Sequence, residues 1–319
     1  MKKVLITGTG GFIYSNFVRK SVYEKQPYTF VSIDKVTKTN VLNNIYANKN
    51  HKFYIGDVAD QHFINVVMEL ERPDIVLHGA AHTHVDDSIL DPNEFIRSNV
   101  LGTQTLLNSC VRWKVEKFIY QSTDEVYGHL TDDSQKSWDE TAPLNPRNPY
   151  AASKAAAELL IQAAYHTYGL PYNIIRTTHN YGPRQSVDKL IPKIIKCIIN
   201  NEKIPIYGKG SQVRSWIHVQ DNCAAVQFIM NNGFENEIYN VGTNQELSNI
   251  ELLHLLSKVM DKDYTDLLTF VPDRAGHDFR YSLDCNKLKS LGWEPTIKLR
   301  RGLEITVEWY RNNLWFLRL

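Results

Sequence analysis

Cysteine is scarce in this chain, with four residues in 319. Cys110, Cys197, Cys223 and Cys285 stand far apart, which excludes a close-paired disulfide framework or a zinc knuckle, and no metal site is expected. Neither sign of charge dominates: 36 Lys and Arg stand against 35 Asp and Glu, a net charge of +1. Chains that grip nucleic acid through its phosphates carry a clear basic excess, so nucleic acid is not an expected partner. No apolar run approaches the roughly 20 residues that cross a bilayer, and the Met1–Gly8 start has no signal-type apolar region. A cytoplasmic protein with no membrane partner is expected. Internal repeats, low-complexity tracts and Pro/Ser-rich linkers are absent too. What the chain does have is 43% hydrophobic residues, enough for one large core or two cooperating domains.

Short Val- and Ile-rich runs alternate with longer amphipathic segments through the first half. Strands are predicted at Lys3–Thr7, Thr29–Ile33, His51–Ile55, Ile75–His78, Lys117–Gln121 and Tyr172–Arg176. Helices are predicted at Phe12–Glu24, Gln61–Glu71, Pro92–Trp113 and Ala151–Tyr168. The alternation reads as βαβ units of an α/β protein, a Rossmann-type doubly wound parallel sheet. The apolar runs lack strict alternation, as strands buried on both faces do. After about Gly182 the pattern changes. Helices are predicted at Ile191–Asn200, Asn222–Asn231, Asn249–Met260 and Arg301–Asn312, and short strands at Ile204–Tyr207 and Arg214–His218. This divides the chain into a dinucleotide-binding domain, 1–182, and a smaller α/β C-terminal substrate lobe, 183–319, some of whose segments return to the first domain. The polar stretch Thr131–Glu140 reads as a surface loop.

Thr7–Ser15 (TGTGGFIYS) joins the first strand to the first helix. Gly8 and Gly11 let the backbone approach a pyrophosphate, which would sit on the helix N-terminus at Phe12 and Ile13. Asp34 ends the second strand, where a Rossmann unit places a carboxylate on the adenosine ribose. That carboxylate favours NAD, since it repels a 2′-phosphate, while Lys35 and Lys38 act the other way. Asp57 and Val58, after the third strand, are placed to flank the adenine. The third glycine position of the turn holds Tyr14. A tyrosine there should push the helix outward or turn its ring into a neighbouring gap, at a cost in cofactor affinity.

Tyr150 and Lys154 stand four apart in YAASK, on one face of a predicted helix. An ammonium beside a phenol favours the phenolate and would bring its pKa from about 10 towards neutrality. Such a tyrosine can take a proton from a sugar hydroxyl as hydride leaves for nicotinamide. Thr123, Asp124 and Glu125 lie at the carboxyl end of a buried strand, where open α/β sheets place ligands. Adjacent carboxylates behind a buried strand are costly unless hydrated, paired or used; differing environments would hold one as an acid and the other as a base. The plainer alternative is that Thr123 or Asp124 caps a helix.

The glycine turn, STDEVYG (Ser122–Gly128) and NPYAASK (Asn148–Lys154) resemble the extended short-chain dehydrogenase/reductase superfamily. Within it the chain is similar to nucleotide-sugar 4,6-dehydratases of the dTDP-glucose 4,6-dehydratase type. The resemblance spans almost the whole length and includes AAHTHVDDS (Ala80–Ser88), NYGPRQ (Asn180–Gln185), KLIPK (Lys189–Lys193), GKGSQVRSW (Gly208–Trp216), PDRAGHDFRY (Pro272–Tyr281) and LGWEP (Leu291–Pro295). The Asp-Glu pair discriminates, because epimerases of the superfamily lack it. The resemblance implies a lyase of deoxysugar biosynthesis. Tyr150, with Lys154 and Thr123, would deprotonate the sugar O4 as the C4 hydride passes to NAD. Glu125 would remove the C5 proton and Asp124 would protonate the departing C6 hydroxyl.

The same resemblance places Arg214 and Arg274 on the substrate diphosphate and Asn180 and His277 near sugar and phosphate. Lys189, His82 and Thr83 join the substrate set. Three positions depart from the family pattern: His82, His179 (for an asparagine) and Arg184, all around the expected sugar pocket. dTDP- or UDP-glucose leads as substrate, with a UDP-N-acetylhexosamine, including C5 inversion, as the alternative. A nucleotide-sugar 4-epimerase and a non-catalytic NAD-binding protein are the other readings. A homodimer is implied, through the helices near Asn99–Trp113 and Ala151–Tyr168, the latter small-sided with alanines.

Overall fold

The fold is known from a computed structural model that describes residues 1–36, 42–49, 51–130, 136–273 and 278–318. Arg274, His277 and Lys38, and the 131–135 part of the predicted surface loop, therefore lie outside the described residues.

Seven parallel strands form the main sheet: β1 (Lys2–Thr7), β2 (Tyr28–Asp34), β3 (His51–Ile55), β4 (Ile75–His78), β5 (Lys117–Thr123), β6 (Tyr172–Thr177) and, further on, β10 (Glu237–Val241). Their order is β3-β2-β1-β4-β5-β6-β10, a doubly wound Rossmann sheet extended by one strand. Central strands such as β1, β4 and β5 are apolar almost throughout because helices cover both faces. On one face Val4, Ile6, Leu77 and Ile119 pack with Phe17 and Val18 of α1 (Phe12–Tyr23) and with Val226 and Ile229 of α8 (Val219–Asn232). On the other, Leu5, Val76 and Phe118 pack with α2 (Gln61–Glu71), α5 (Gly102–Trp113) and α6 (Pro149–Tyr168).

The predicted helix 92–113 is one rod in three pieces. A short α-helical turn, α4 (Pro92–Phe95), passes through a π-helical segment, Ile96–Leu101, into α5. The extra residue per turn aims Asn99 inward, where it holds the His82 backbone on both sides and donates to Ser153 of α6. A helix α3 (Val85–Leu90), which the sequence reading did not foresee, precedes that rod.

The second lobe packs α7 (Leu190–Asn200), α9 (Asn249–Met260) and α11 (Leu299–Asn312) around Ile194, Leu253, Leu303 and Tyr310. Two small sheets belong to it: β7 (His179–Tyr181), β9 (Val213–His218) and β11 (Glu246–Ser248), and β8 (Ile204–Tyr207) with β12 (Leu268–Val271). β10, absent from the predicted strands, crosses back to pair with β6 in the main sheet. The described part of the predicted surface loop, 136–140, is irregular backbone with Lys136, Ser137 and Asp139 exposed, and it is anchored to the body at two points. Trp138 stacks on Tyr127 at 6.3 Å and bridges to Leu283, and the Glu140 carboxylate accepts the Asn240 amide at 2.8 Å. An indole is too large an apolar surface to leave in water when a neighbouring ring can cover it.

Candidate active site

Gly8 follows β1 with φ +85°, and a Cβ there would lie 2.8 Å from the Ala80 nitrogen. Only glycine fits both conditions. Gly11 precedes α1 and no side chain caps that helix, so the first-turn amides beyond it, at Phe12 and Ile13, keep their positive end for an anion. Asp34 is buried at the end of β2 and accepts the Gly10 amide at 2.7 Å. Asp57 accepts the Ala59 amide and meets Arg97 at 2.8 Å and Lys35 at 3.3 Å. Burial raises its pKa, but those partners outweigh it and hold the carboxyl below its ordinary value. Val58 is buried where Gly102 leaves room, since a Cβ on that glycine would be 2.7 Å from it. A glycine cradle, an uncapped helix terminus and a buried acid after β2 fit a dinucleotide.

Tyr14 takes the second of its two expected courses. Its ring turns into the space over Gly79, where a Cβ would fall 1.8 Å from the ring, and its hydroxyl donates to Gln121 at 3.3 Å. The glycine lost from the turn is compensated by a glycine after β4.

The carboxyl end of β5 carries the reactive cluster. Thr123 caps a 3₁₀ turn, Asp124–Tyr127, by accepting the Glu125 amide, so the capping alternative is present together with the carboxylate pair. Asp124 is 1% exposed. Asn148 caps α6 through the Ala151 amide and also donates to Glu125 at 3.1 Å, which ties the start of α6 to the base. That bond was not foreseen, although Asn-Pro before a helix is the mark of a capped start. Burial pushes the Glu125 carboxyl up; His179 and Arg214 work against this and Asp124 adds to it.

Tyr150 and Lys154 lie on the inner face of α6, 8% and 3% exposed. The expected lowering of the phenol by the ammonium is corrected. Lys154 donates to the Gln121 carbonyl at 2.6 Å and lies over the Tyr120 ring at 4.2 Å. Burial pulls its ammonium down to about 7, with Glu158 resisting. The Tyr150 phenol is pushed above its ordinary value, first by burial and then by Glu125 and Asp124, with the Thr123 hydroxyl opposing. Behind β5, Glu158 of α6 accepts Arg176 of β6 at 2.6 Å and the Ser122 hydroxyl. This buried clamp fixes the helix against the strand, and so Tyr150 against Thr123.

Of the remaining predicted residues that are described, Arg214 lies near enough to bear on the Glu125 charge. Arg214 of β9 is held by the carbonyls of Val213, Asp278 and Phe279 and lies over Tyr281 at 4.6 Å. Asn180 donates to Thr177 and Thr178, leaving a buried carbonyl oxygen without a hydrogen-bond partner. Lys189 reaches the Thr83 carbonyl at 3.3 Å, joining two residues assigned to the substrate. His82 stacks near Phe95, which in turn meets Tyr150 edge-on. Its ring also feels Lys35 and Asp57, so it stands between the cofactor end and the cluster. Arg184 turns away from the cluster, bonding Asn44 and lying over Trp309. Among the described residues, no group of three or more His, Cys, Asp or Glu is placed to hold a metal ion.

The doubly wound sheet, the cradle and the Tyr-Lys pair define a protein of the short-chain dehydrogenase/reductase type. Within that class the chain belongs to the GDP-mannose 4,6-dehydratase family, whose sequence profile matches residues 5–306. It is 41% identical to a dTDP-glucose 4,6-dehydratase of Streptomyces niveus, over 98% of this chain and 93% of that one. It is 42% identical to the low-salt glycan biosynthesis protein Agl12 of Haloferax volcanii, over 96% and 98%. The solved structure of the dTDP-glucose 4,6-dehydratase DesIV of Streptomyces venezuelae, with NAD bound, superimposes with a TM-score of 0.93 at 38% identity, covering 98% of each chain. A UDP-glucose 4-epimerase of Thermotoga maritima superimposes with a TM-score of 0.91 at 30% identity, over 98% and 99%.

Proposed function

We propose that this chain is an NAD-dependent nucleotide-sugar 4,6-dehydratase, a hydro-lyase that converts dTDP- or UDP-glucose to the 4-keto-6-deoxy sugar. The observation that carries the reading is the Asp124–Glu125 pair, Asp124 buried and Glu125 half-buried, beside Tyr150 at the carboxyl edge of the sheet. A 4-epimerase needs a tyrosine and lysine but has no task for two carboxylates.

NAD, when bound on the Gly8–Ile13 cradle with Asp34 at its ribose, supplies the hydride acceptor for C4 and the hydride donor for C6. The chain's own residues manage protons. Tyr150, oriented by Thr123 and Lys154, takes the O4 proton. Two carboxylates oppose its ionisation; the positive charge of a bound nicotinamide would oppose them and favour the phenolate that takes this proton. The 4-keto group then acidifies the C5 hydrogen. Glu125, whose raised pKa makes it a stronger base than a solvated carboxylate, removes that proton and later returns it to C5. Asp124 gives its proton to the C6 hydroxyl, which leaves as water. Arg214, Arg274, Asn180, His277, Lys189, His82 and Thr83 make up the proposed nucleotide-diphosphate and sugar site, with the guanidinium forks suited to phosphate oxygens.

A homodimer in the cytoplasm belongs to the same proposal. Leu101, Leu159 and Tyr168, on the helical rod and α6, are 49–64% exposed. On the same elements a shallow groove is lined by Gln104, Leu107, Asn108, Val111, Ala164 and Tyr168. All four cysteines are free and buried, which suits a reducing compartment. Among the described residues no helix is long and apolar enough to cross a membrane.

The deciding experiment incubates the purified protein and NAD with dTDP-glucose, UDP-glucose and UDP-N-acetylglucosamine, each followed by mass spectrometry. Loss of one water from a glucose donor is expected; loss from the acetamido sugar instead would move the assignment to that substrate. Glu125→Gln should still form reduced nicotinamide at C4 but release no water. Full turnover by Glu125→Gln would refute the role of the carboxylate pair.

A further inference from the structure

His179, at the start of β7, has surroundings that give it a task. Its Nδ1 lies 3.8 Å from Oδ2 of Asp124. Both atoms are buried, and neither has a hydrogen-bond partner among the described residues. The other Asp124 oxygen accepts the Thr123 hydroxyl at 3.2 Å. Two orphaned buried polar atoms facing each other are costly unless a proton is shared between them. The imidazole cannot easily turn away, because it stacks on Tyr281 at 5.8 Å and meets the edge of Trp216 at 5.7 Å. The two partners differ in access to water: the His179 side chain is 29% exposed and that of Asp124 only 2%.

We infer that His179 is a positioning residue that recharges Asp124 with a proton from solvent, so that the buried acid is ready for each turnover. The inference rests on the reading of Asp124 as the acid of the elimination. The proton accounting of that reaction leaves a deficit at Asp124 that such a route fills. The O4–H bond breaks and its proton goes to Tyr150. The C5–H bond breaks, its proton goes to Glu125 and its electron pair forms the C5=C6 bond. The Asp124 O–H bond breaks as the C6–O bond does, and the oxygen leaves with that bond's electron pair, as water. Glu125 returns its proton to C5. Each cycle therefore leaves Asp124 one proton short and Tyr150 one over; Tyr150 resets by releasing its proton to solvent as the product leaves, and Asp124 must take one up. A carboxylate so deeply buried has little contact with water of its own. His179 accepts a proton at its exposed side and passes one from Nδ1 to Oδ2, and the imidazole returns to its starting state by exchange with solvent.

The imidazole and the carboxyl face each other across 3.8 Å as a pair. The charged and titratable groups facing it are Asp124 and Glu125 from the β5 end, Arg214 from β9, Tyr281 with its partner Asp278, and Tyr150 from α6.

The test compares the pH profiles of kcat for the wild type and His179→Asn. The variant should lose about 100-fold in kcat, the low end of general acid–base contributions, with KM for the nucleotide sugar near its wild-type value. Its basic limb should move towards acid by about one pH unit or more, and imidazole in the buffer should restore part of the rate. A superimposable profile, or kcat and KM falling together with an unmoved limb and no rescue, would assign His179 to shape alone and overturn the inference. Asp124→Asn separates the two readings. If it still expels water at the wild-type rate, the acid role fails and this inference fails with it. If it stops elimination while the His179→Asn profile is unchanged, only the inference fails. Should His179→Asn not fold, NMR titration of His179 in the wild type and in Asp124→Asn decides. A lower midpoint in the variant is expected, and an unchanged one refutes the coupling.

Discussion

Replacing Lys154 by methionine should stabilise the fold while removing turnover. Lys154 is 3% exposed, and burial pulls its ammonium from 10.5 to about 7. A base whose pKa is depressed by folding destabilises the native state fully below the folded value, and the penalty fades as pH rises towards the unfolded one. The window here is therefore pH 7 to 10.5. At 1.36 kcal/mol per unit, a shift of this size is on the order of 5 kcal/mol. Methionine gives back part of that gain. The Gln121 carbonyl loses its donor, at about 1–3 kcal/mol, and the contact with the Tyr120 ring, worth about 1 kcal/mol, is exchanged for a thioether contact. The net expectation is a gain of about 1–3 kcal/mol at pH 7. Urea unfolding of both proteins at pH 7 and pH 9 measures it. The advantage should shrink by about 2 kcal/mol between the two, because the folded wild-type lysine gives up its proton over this range while the unfolded one keeps it. Other groups titrating in that range are common to both proteins and cancel. A variant less stable than the wild type at pH 7, or an advantage that does not shrink with pH, would refute the reasoning. A gain in stability with loss of activity is what a residue kept for chemistry shows.

Gly79→Ala should cost about 1–3 kcal/mol in thermal unfolding, because its Cβ would fall 1.8 Å from the Tyr14 ring. In a Tyr14→Gly background the same change should cost nothing, and equal costs in both backgrounds would show that the two do not pack together. Arg176→Met strands the Glu158 carboxylate, which is 0% exposed, and should destabilise by about 3–5 kcal/mol in urea. Adding Glu158→Gln should recover much of that, and no recovery would place the loss in packing instead of charge.

The strands of the main sheet were legible from β1 to β6 because burial on both faces leaves an unbroken apolar run, a local property of the sequence. Tyr150 and Lys154 were legible by helical spacing, and Thr123–Glu125 by their place after such a run. β10 was not, since EIYNV between polar neighbours becomes a strand only when the edge of β6 is there to pair with it. The π-helical turn that aims Asn99 is equally a product of packing.

Electrostatics were the least legible part. Sequence spacing puts an ammonium near a phenol and suggests a lowered pKa. The fold instead buries both and sets two carboxylates against the phenol, so the direction reverses. Tyr14 read as a fault in the glycine turn because its compensation, Gly79, lies 65 positions away by number and next to it in space. His179 read only as a departure until β7 laid it against Asp124. Local pattern determined which residues carry the chemistry and on which elements they ride. Their protonation, and the partners that set it, were decided by the tertiary structure, because desolvation and facing charge are properties of the whole packed chain.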